Sequence, residues 1–213
     1  MDKDLKDDVI TVSRKGDRII LVKLVLGGNT INIISVYALQ VGLDEHIKTQ
    51  FWESMDELMR GIPQGEHVFI GGDFNGHVGK DRRGYEMVHG GHGFGDRNDY
   101  GEAILDFVVA YDLIVANTIF RKRGEHLITF KSGPNMSQID FFLMKRIDRL
   151  TCKDCKVIPR ESITSQHRLL VLDVAMKKQL RKMRDIKSSR IRWWNLKGEK
   201  VEIFRDKMLK EAI

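Results

Sequence analysis

The chain has 213 residues, 42% of them hydrophobic and 31% charged, and its 36 lysines and arginines against 30 acidic residues give a net charge of +6. This length predicts one domain with a substantial core plus a tail, and the mild basic excess suits a nucleic-acid partner. Two cysteines exclude a disulfide framework, and the most apolar stretch, residues 19–26, is too short to span a bilayer.

The N-terminal part of the chain predicts three strands. Residues 2–8 are charged and do not resemble a signal peptide, so we expect an intracellular protein, nuclear or cytoplasmic. Residues 9–13 and 18–26 are rich in Val, Ile and Leu and flank a turn. The third strand, residues 31–37, ends at Tyr37, whose ring caps the core or whose hydroxyl points into a cleft.

An amphipathic helix and a buried strand come next. Asp44 is a good helix N-cap, apolar residues follow at helical spacing, and Gly61 ends the pattern. A strand at 68–70 then leads through two glycines to Asp73 and Asn75, whose side chains share a face if the strand continues. A carboxylate beside an amide suits phosphoester hydrolysis, although Gly, Asp and Asn are also the commonest turn residues.

Residues 76–99 are rich in glycine and contain His77, His89 and His92. Three histidines allow a zinc site, but their spacing follows no metal pattern, so we favour an ordered surface loop. The pair Cys152 and Cys155 has zinc-type spacing too, yet no second pair accompanies it, and a structural metal is again the less favoured interpretation.

The next segment predicts a helix, two strands and a basic loop. Residues 100–111 have helical periodicity behind a cap at Asn98 or Asp99, and residues 113–118 form a strand. The loop Arg121-Lys122-Arg123 precedes a strand at 127–130. It either contacts a phosphate backbone or is an exposed turn, with equal support.

Two polar residues stand out near the end of the domain. Asp140 lies inside the apolar strand 137–143 and needs a hydrogen-bonding or cationic partner. His167 precedes the last strand, 169–173, and is the natural partner, since a carboxylate fixes the tautomer of an imidazole.

Four segments resemble, in order, successive motifs of the endonuclease/exonuclease/phosphatase superfamily. They are Ile34-Ser35-Val36-Tyr37-Ala38, Gly72-Asp73-Phe74-Asn75, Ser137-Gln138-Ile139-Asp140-Phe141 and Ser165-Gln166-His167-Arg168. The sequence between them is similar to craniofacial development protein 2-like proteins and to endonuclease domains of RTE-type non-LTR retrotransposons. The resemblance covers about residues 5–176.

The resemblance implies an α/β fold, a four-layer α/β sandwich of the DNase I-like type, and Mg²⁺-dependent hydrolysis of DNA. It implies that Tyr37 contacts the scissile phosphate and that Asp73 positions or deprotonates the attacking water. Asn75 would stabilise the transition state, and His167, oriented by Asp140, would bind a non-bridging oxygen. Fixed donors and a cation stabilise the charge that develops on phosphoryl oxygens.

Two departures from the superfamily pattern bear on activity. Gln166 stands where the superfamily usually has a metal-side Asp, and nothing before Ile10 resembles the strands that carry its principal Glu ligand. We therefore expect an N-terminally truncated domain, lacking roughly the first third, with little or no hydrolytic activity.

The domain is expected to span residues 1–176, and a basic tail with a short helix residues 177–213. The alternative function is a non-catalytic retroelement relic that binds nucleic acid or protein through this tail. A phosphatase acting on lipid or protein is a third possibility. Oligomeric state has no signal in the sequence.

Overall fold

The computed structural model describes residues 3–40, 42, 44–177 and 201–202, which form three helices and ten strands beside short 3₁₀ turns. The helices are α1 (Lys3–Lys6), α2 (Glu45–Arg60) and α3 (Asp99–Ala110). The strands are β1 (Val9–Lys15), β2 (Ile19–Leu26), β3 (Asn29–Tyr37), β4 (His67–Asp73), β5 (Leu113–Val115), β6 (Phe130–Ser132), β7 (Asn135–Ser137), β8 (Asp140–Lys145), β9 (Cys152–Ser162) and β10 (Arg168–Val174).

The chain divides by its internal contacts into residues 1–179 and 180–213. All of the strands belong to the first unit, and only Val201 and Glu202, which are helical, are described in the second. Apart from Lys177, Val201 and Glu202, the predicted basic tail, residues 177–213, therefore lies outside the described residues. No helix in the described ranges is long and apolar enough to span a bilayer.

A six-stranded sheet in the order β1-β2-β3-β4-β8-β5 is the centre of the first unit. Only the β3–β4 pair is parallel, because α2 carries the chain across between these two strands. Asp44 caps α2 by accepting a hydrogen bond from the backbone of His46, and Gly61 ends the helix, as the sequence predicts. Asn98 caps α3 in the same way by accepting from the backbone of Gly101.

The two faces of the sheet are covered differently. Alternate residues such as Ile70 and Leu143 point towards α2 and α3 and form the main core. Their neighbours Phe69 and Met144 point to the other face, where the β9–β10 hairpin covers them in a second, smaller core. The predicted mixed α/β fold is confirmed, and the described residues supply three of the four expected layers: helices, large sheet and small sheet.

Three predicted strands have clearly different bounds in the structure. The strand predicted at 137–143 is divided, because β7 ends at Ser137 and β8 begins at Asp140, which is therefore the first residue of its strand and not an interior one. Residues 113–118 form a strand only as far as Val115, because the Asn117 side chain replaces strand pairing by donating to Asp140 O and accepting from Phe142 N. The strand predicted at 127–130 is wrong: a 3₁₀ turn occupies Gly124–His126, and β6 begins at Phe130. Polar side chains and turns thus interrupt these apolar runs.

The strand β9 has no counterpart among the sequence predictions. A register shift opposite Asp173 and Val174 brings Cys152 and Cys155 onto the same, buried side, which hides the alternation of a regular strand. Both are free thiols in the small core, and burial raises the pKa of Cys152 to about 11 and that of Cys155 further.

The glycine-rich loop between β4 and α3 is held by its own polar groups. His89 is buried, its Nε2 lies 3.0 Å from Gly79 O, and its Nδ1 accepts from Gly91 N. Burial lowers the pKa of His89, so the ring is neutral at pH 7. Arg97 lies 4.6 Å from the centre of the Tyr85 ring and adds a second contact across the loop.

Candidate active site

Three of the predicted site residues are direct cross-strand neighbours. Tyr37 pairs with Asp73 across the β3–β4 ladder, and Asp73 pairs with Asp140 across the β4–β8 ladder. Because paired residues point to the same face of a sheet, their side chains form one row at the end of three adjacent strands. The row lies on the face that the β9–β10 hairpin partly covers.

His167 joins this row from the residue just before β10. Its Nδ1 lies 3.2 and 3.1 Å from the two carboxylate oxygens of Asp140, which identifies it as the donor. Its Nε2 therefore faces the other carboxylate and lies 3.9 Å from Asp73 Oδ2. The Asp–His pair expected from the sequence is thus present in the structure.

Thr129, just before β6, and Phe130, the first residue of β6, hold the Asp140–His167 pair in place. The buried Thr129 hydroxyl accepts hydrogen bonds of 3.0 Å from the backbone N–H groups of Ile139 and Asp140. The Phe130 ring meets the His167 ring edge to face at 5.1 Å, and their backbones form an isolated β-bridge. These contacts fix both the carboxylate and the imidazole, and the sequence gives Thr129 and Phe130 no recognisable role.

Asp73 is the most strongly perturbed acid of the site. Its side chain is only 11% exposed, and desolvation by burial raises its pKa to about 6, with a further contribution from the nearby charge of Asp140. Hydrogen bonds from Asn75 and the charge of His167 oppose this increase. A carboxylate with its pKa near neutrality is suited to accept a proton from water.

The turn after β4 holds Asn75 beside this carboxylate. Asn75 has a φ of +49°, and its backbone N–H donates to Asp73 Oδ1 at 2.9 Å. Its side-chain amide donates to Ala38 O at 2.9 Å, which ties the turn to the end of β3. Gly72 makes this close approach possible, since a Cβ at that position would lie 1.9 Å from Val36 O.

Tyr37 is the accessible member of the row. Its side chain is 45% exposed, and its hydroxyl accepts from Gln40 Nε2 at 3.3 Å. The structure therefore favours the interpretation in which the Tyr37 hydroxyl points into a cleft over the one in which its ring caps the core. Tyr37, Asp73, Asn75, Asp140 and His167 all lie at this one end of the sheet.

Comparisons with known proteins found similar sequences and similar folds. No protein-family model matches the chain. Over 179 residues it is 27% identical to craniofacial development protein 2 of Bos taurus and of Tragulus javanicus, and the matches cover 83% of this chain but 30% and 31% of those proteins. The chain thus spans less than a third of the length of these relatives.

Two solved structures have similar folds. The endonuclease domain of TRAS1, a telomere-specific non-LTR retrotransposon, matches with a TM-score of 0.55 and 14% identity, over 81% of this chain and 69% of that one. The chain has the endonuclease/exonuclease/phosphatase fold. The 3′ phosphatase NExo from Neisseria, bound to a product DNA hairpin, matches with a TM-score of 0.55 and 15% identity, over 75% and 65% of the two chains. The resemblance drawn from the four motifs is confirmed.

Within this endonuclease/exonuclease/phosphatase fold, one metal-type cluster occurs among the described residues. Ligand atoms of Asp73, Asp140 and His167 all lie within 4.8 Å of one another. Gln166, the candidate metal ligand at the position where the resemblance implies Asp, is exposed, and its side-chain amide donates to Ser132 Oγ at 2.9 Å. This hydrogen bond joins Gln166 to the β6–β7 hairpin.

The basic loop Arg121-Lys122-Arg123 contains two kinds of residue. Lys122 is ion-paired with Asp154 at 2.5 Å and lies over the Phe120 ring, so it ties the loop to β9. Arg121 and Arg123 are exposed on either side of it. Of the three predicted nucleic-acid contacts, these two arginines have the accessibility that a phosphate contact requires.

Proposed function

We propose that the chain is a phosphodiesterase domain of the nuclease type that acts on DNA. The alignment of Tyr37, Asp73 and Asp140 across three strands, with His167 hydrogen-bonded to Asp140, carries this proposal. Polar groups from distant parts of the chain converge there, and one has a strongly raised pKa, which is typical of catalytic sites. The proteins of similar fold are described as an endonuclease domain and a DNA-bound 3′ phosphatase, which supports DNA as the substrate.

In the proposed reaction, Asp73 acts on the attacking water and His167 acts on the phosphate group. Asp73, deprotonated above pH 6 or so, orients and accepts a proton from the attacking water. Asp140 holds Nδ1–H of His167, so that Nε2 faces the reaction centre and, when protonated, donates to a non-bridging phosphate oxygen. The side-chain amide of Asn75 and the hydroxyl of Tyr37 are the further donors that we propose for the phosphoryl group.

Mg²⁺ is the cation that we propose for this site. Asp73 and Asp140 offer carboxylate oxygens, which Mg²⁺ prefers, within reach of a common point. Repulsion between these two largely buried carboxylates contributes to the raised pKa of Asp73, and a cation relieves that repulsion. When bound, the ion would polarise the phosphoryl oxygen and neutralise developing charge.

We further propose that this chain binds Mg²⁺ weakly and has low activity. The cluster offers two carboxylates and an imidazole, and the imidazole already donates to one of those carboxylates. Gln166, at the position where the resemblance implies Asp, adds no charge. A hard cation loses much of its affinity when a carboxylate ligand is replaced by a neutral group.

A plasmid-nicking assay tests this function. We expect slow nicking of supercoiled DNA in Mg²⁺ that EDTA abolishes and that disappears in His167→Ala. His46→Ala, which removes an exposed histidine on α2, is the matched control and should nick as the wild type does. Nicking that persists in His167→Ala contradicts the proposed site, and rapid nicking contradicts the proposed weak metal binding.

Absence of nicking at any Mg²⁺ concentration would favour the alternative of a non-catalytic retroelement relic. Its binding segment would be the basic tail, residues 177–213, which carries seven lysines and arginines between Lys177 and Arg190 alone. Under either function, a nucleic-acid partner and a nuclear or cytoplasmic location are what we propose.

A further inference from the structure

A groove between α2 and α3 on their solvent side has no part in the proposed reaction. Its volume is about 470 Å³, and it is open along its length. Its floor is aromatic: the Trp52 ring on α2 lies 5.2 Å from the Phe107 ring on α3, which in turn lies 5.0 Å from the Tyr111 ring. Ala103 and Ala110 also line the groove, before and after Phe107 along α3, and their small side chains leave the space above the floor empty.

The rim of this groove is acidic, although the whole chain carries a net charge of +6. The charged residues among the described ones that line it are Glu53, Asp56 and Asp106, all of them acids. Asp56 is ion-paired with Arg60 at 2.7 Å, which offsets its charge. Asp106 accepts a hydrogen bond of 2.7 Å from the neutral Tyr85 hydroxyl and keeps its charge. Glu53 is exposed and forms no ion pair within the described part of the chain.

We propose that the groove binds a basic, amphipathic helix of a partner protein. Ala103 and Ala110 are seven residues apart on α3, which corresponds to about 10 Å or two turns of a bound helix. Apolar side chains of that helix, one on each turn, would fill the space above Phe107, as in other helix-in-groove complexes. Its lysines and arginines would meet Glu53 and Asp106 at the rim, and cations also bind favourably to the faces of aromatic rings.

The acidic rim decides which class of partner fits. Carboxylates repel phosphates, so a nucleic acid bound at the row of Tyr37, Asp73 and Asp140 would not extend into the groove. The helices α2 and α3 cover the face of the large sheet opposite to that row. A partner held between them therefore leaves the candidate active site accessible, and its binding is independent of the proposed hydrolysis.

Fluorescence anisotropy with a synthetic peptide tests the groove. The probe is a fluorescein-labelled peptide of about 18 residues, built from leucine, alanine and lysine so that its leucines recur every three or four positions. A second peptide has the same pattern with glutamate in place of lysine, so it retains the apolar face and reverses the charge. We expect the basic peptide to bind the wild-type chain at least about tenfold more tightly than the acidic one.

Two charge variants locate the binding surface. Glu53→Lys reverses a charge on the rim, and Glu102→Lys makes the same change at an exposed acid of α3 that does not line the groove. We expect Glu53→Lys to weaken binding of the basic peptide by about three- to tenfold and Glu102→Lys to alter it by less than about twofold. An equal loss in the two variants overturns the proposal, because the peptide would then respond only to the overall charge of the chain.

Two variants of size test the shape of the groove without changing its charge. Ala110→Leu places a larger side chain in the groove, and Val109→Leu enlarges the neighbouring side chain, which is 52% exposed and does not line it. We expect Ala110→Leu to weaken binding of the basic peptide by at least about threefold, because it excludes the ligand from the floor. Val109→Leu should bind as the wild type does. Unaltered binding in Ala110→Leu overturns the proposal.

The behaviour of the wild-type chain decides between occupants. Failure to bind the basic peptide, or equal binding of the two peptides, overturns the proposal. A dimer of the chain alone in analytical ultracentrifugation that Ala110→Leu converts to a monomer overturns it too, because a second copy would then fill the groove. None of these measurements uses catalysis, so the proposed nuclease function is tested separately by the nicking assay.

Discussion

Among single residues, Asp73 shows most clearly that this end of the sheet is arranged for chemistry. A carboxylate that is 11% exposed and has its pKa raised from 3.8 to about 6 costs stability when it is ionised. An amide of the same shape would keep the hydrogen bond from Asn75 N without that cost. Proteins retain such residues where function requires them.

Asp73→Asn is therefore expected to stabilise the protein at neutral pH. The folded state binds a proton more tightly than the unfolded state, so stability falls as the pH rises from about 4 to about 6. At pH 7 the variant should exceed the wild type by about 1–3 kcal/mol in free energy of unfolding, and the gap should vanish near pH 4. Urea denaturation in EDTA measures this, and a variant less stable at pH 7 contradicts it.

Thr129 supports the site through its side-chain hydroxyl, which gives a second prediction at this scale. Thr129→Val leaves the N–H groups of Ile139 and Asp140 buried without an acceptor. We expect a loss of about 2–4 kcal/mol in free energy of unfolding, because each unsatisfied buried donor is costly.

Thr129→Ser is the matched control, since it keeps the hydroxyl and removes only a methyl group. It should lose about 1 kcal/mol or less. Equal losses in the two variants would show that packing of the methyl group, and not the hydrogen bonds, makes Thr129 important.

Among the elements, the end of β4 decides where the site residues lie. Gly72 has a φ of +153°, and a Cβ there would overlap Val36 O across the parallel β3–β4 ladder. Gly71 has a similar restriction, since its Cβ would lie 2.5 Å from the Phe142 ring. The paired glycines therefore allow three strands to approach closely just before Asp73.

Gly72→Ala tests this interpretation. We expect it to separate β3 from β4 at the site and to cost more than about 2 kcal/mol, because both the backbone angle and the space exclude a methyl group. Gly65→Ala, in the turn before β4 where a Cβ meets nothing within 4 Å, should change stability by less than about 1 kcal/mol. Thermal unfolding followed by circular dichroism compares them, and equal melting temperatures contradict the prediction.

Across the whole molecule, the two faces of the large sheet differ in how well they are covered. The helical side is closed by α2 and α3, whereas β9 and β10 cover only the strands at one end of the other side. On β1 and β3 no other described element covers that face, and Val12 and Ile33 are 59% and 45% exposed. The β9–β10 sheet has only two strands and packs over a small core at one end of the large sheet. We therefore expect it to open more easily than the rest of the domain.

Cys152 and Cys155 provide a probe of this opening, because both belong to β9 and are buried between the small sheet and the large one. We expect a thiol reagent to label them at urea concentrations at which the circular dichroism of the domain is still native. Their raised pKa values make the closed state unreactive, so labelling reports opening. Labelling that coincides with global unfolding would show that the small sheet is as stable as the large one.

The sequence by itself determined α2, the first four strands and the position of the candidate site residues along the chain, because caps, periodicity and turn glycines act over a few neighbouring residues. It did not reveal β9, where a bulge disrupts the alternation, nor the 3₁₀ turns, where side chains such as Asn117 replace ladder pairing. Only the tertiary structure decided that Tyr37, Asp73 and Asp140 stand in one row and that His167 and Thr129 support it. The physical reason is that strand register and the approach of distant segments depend on long-range packing, which no local pattern of residues encodes.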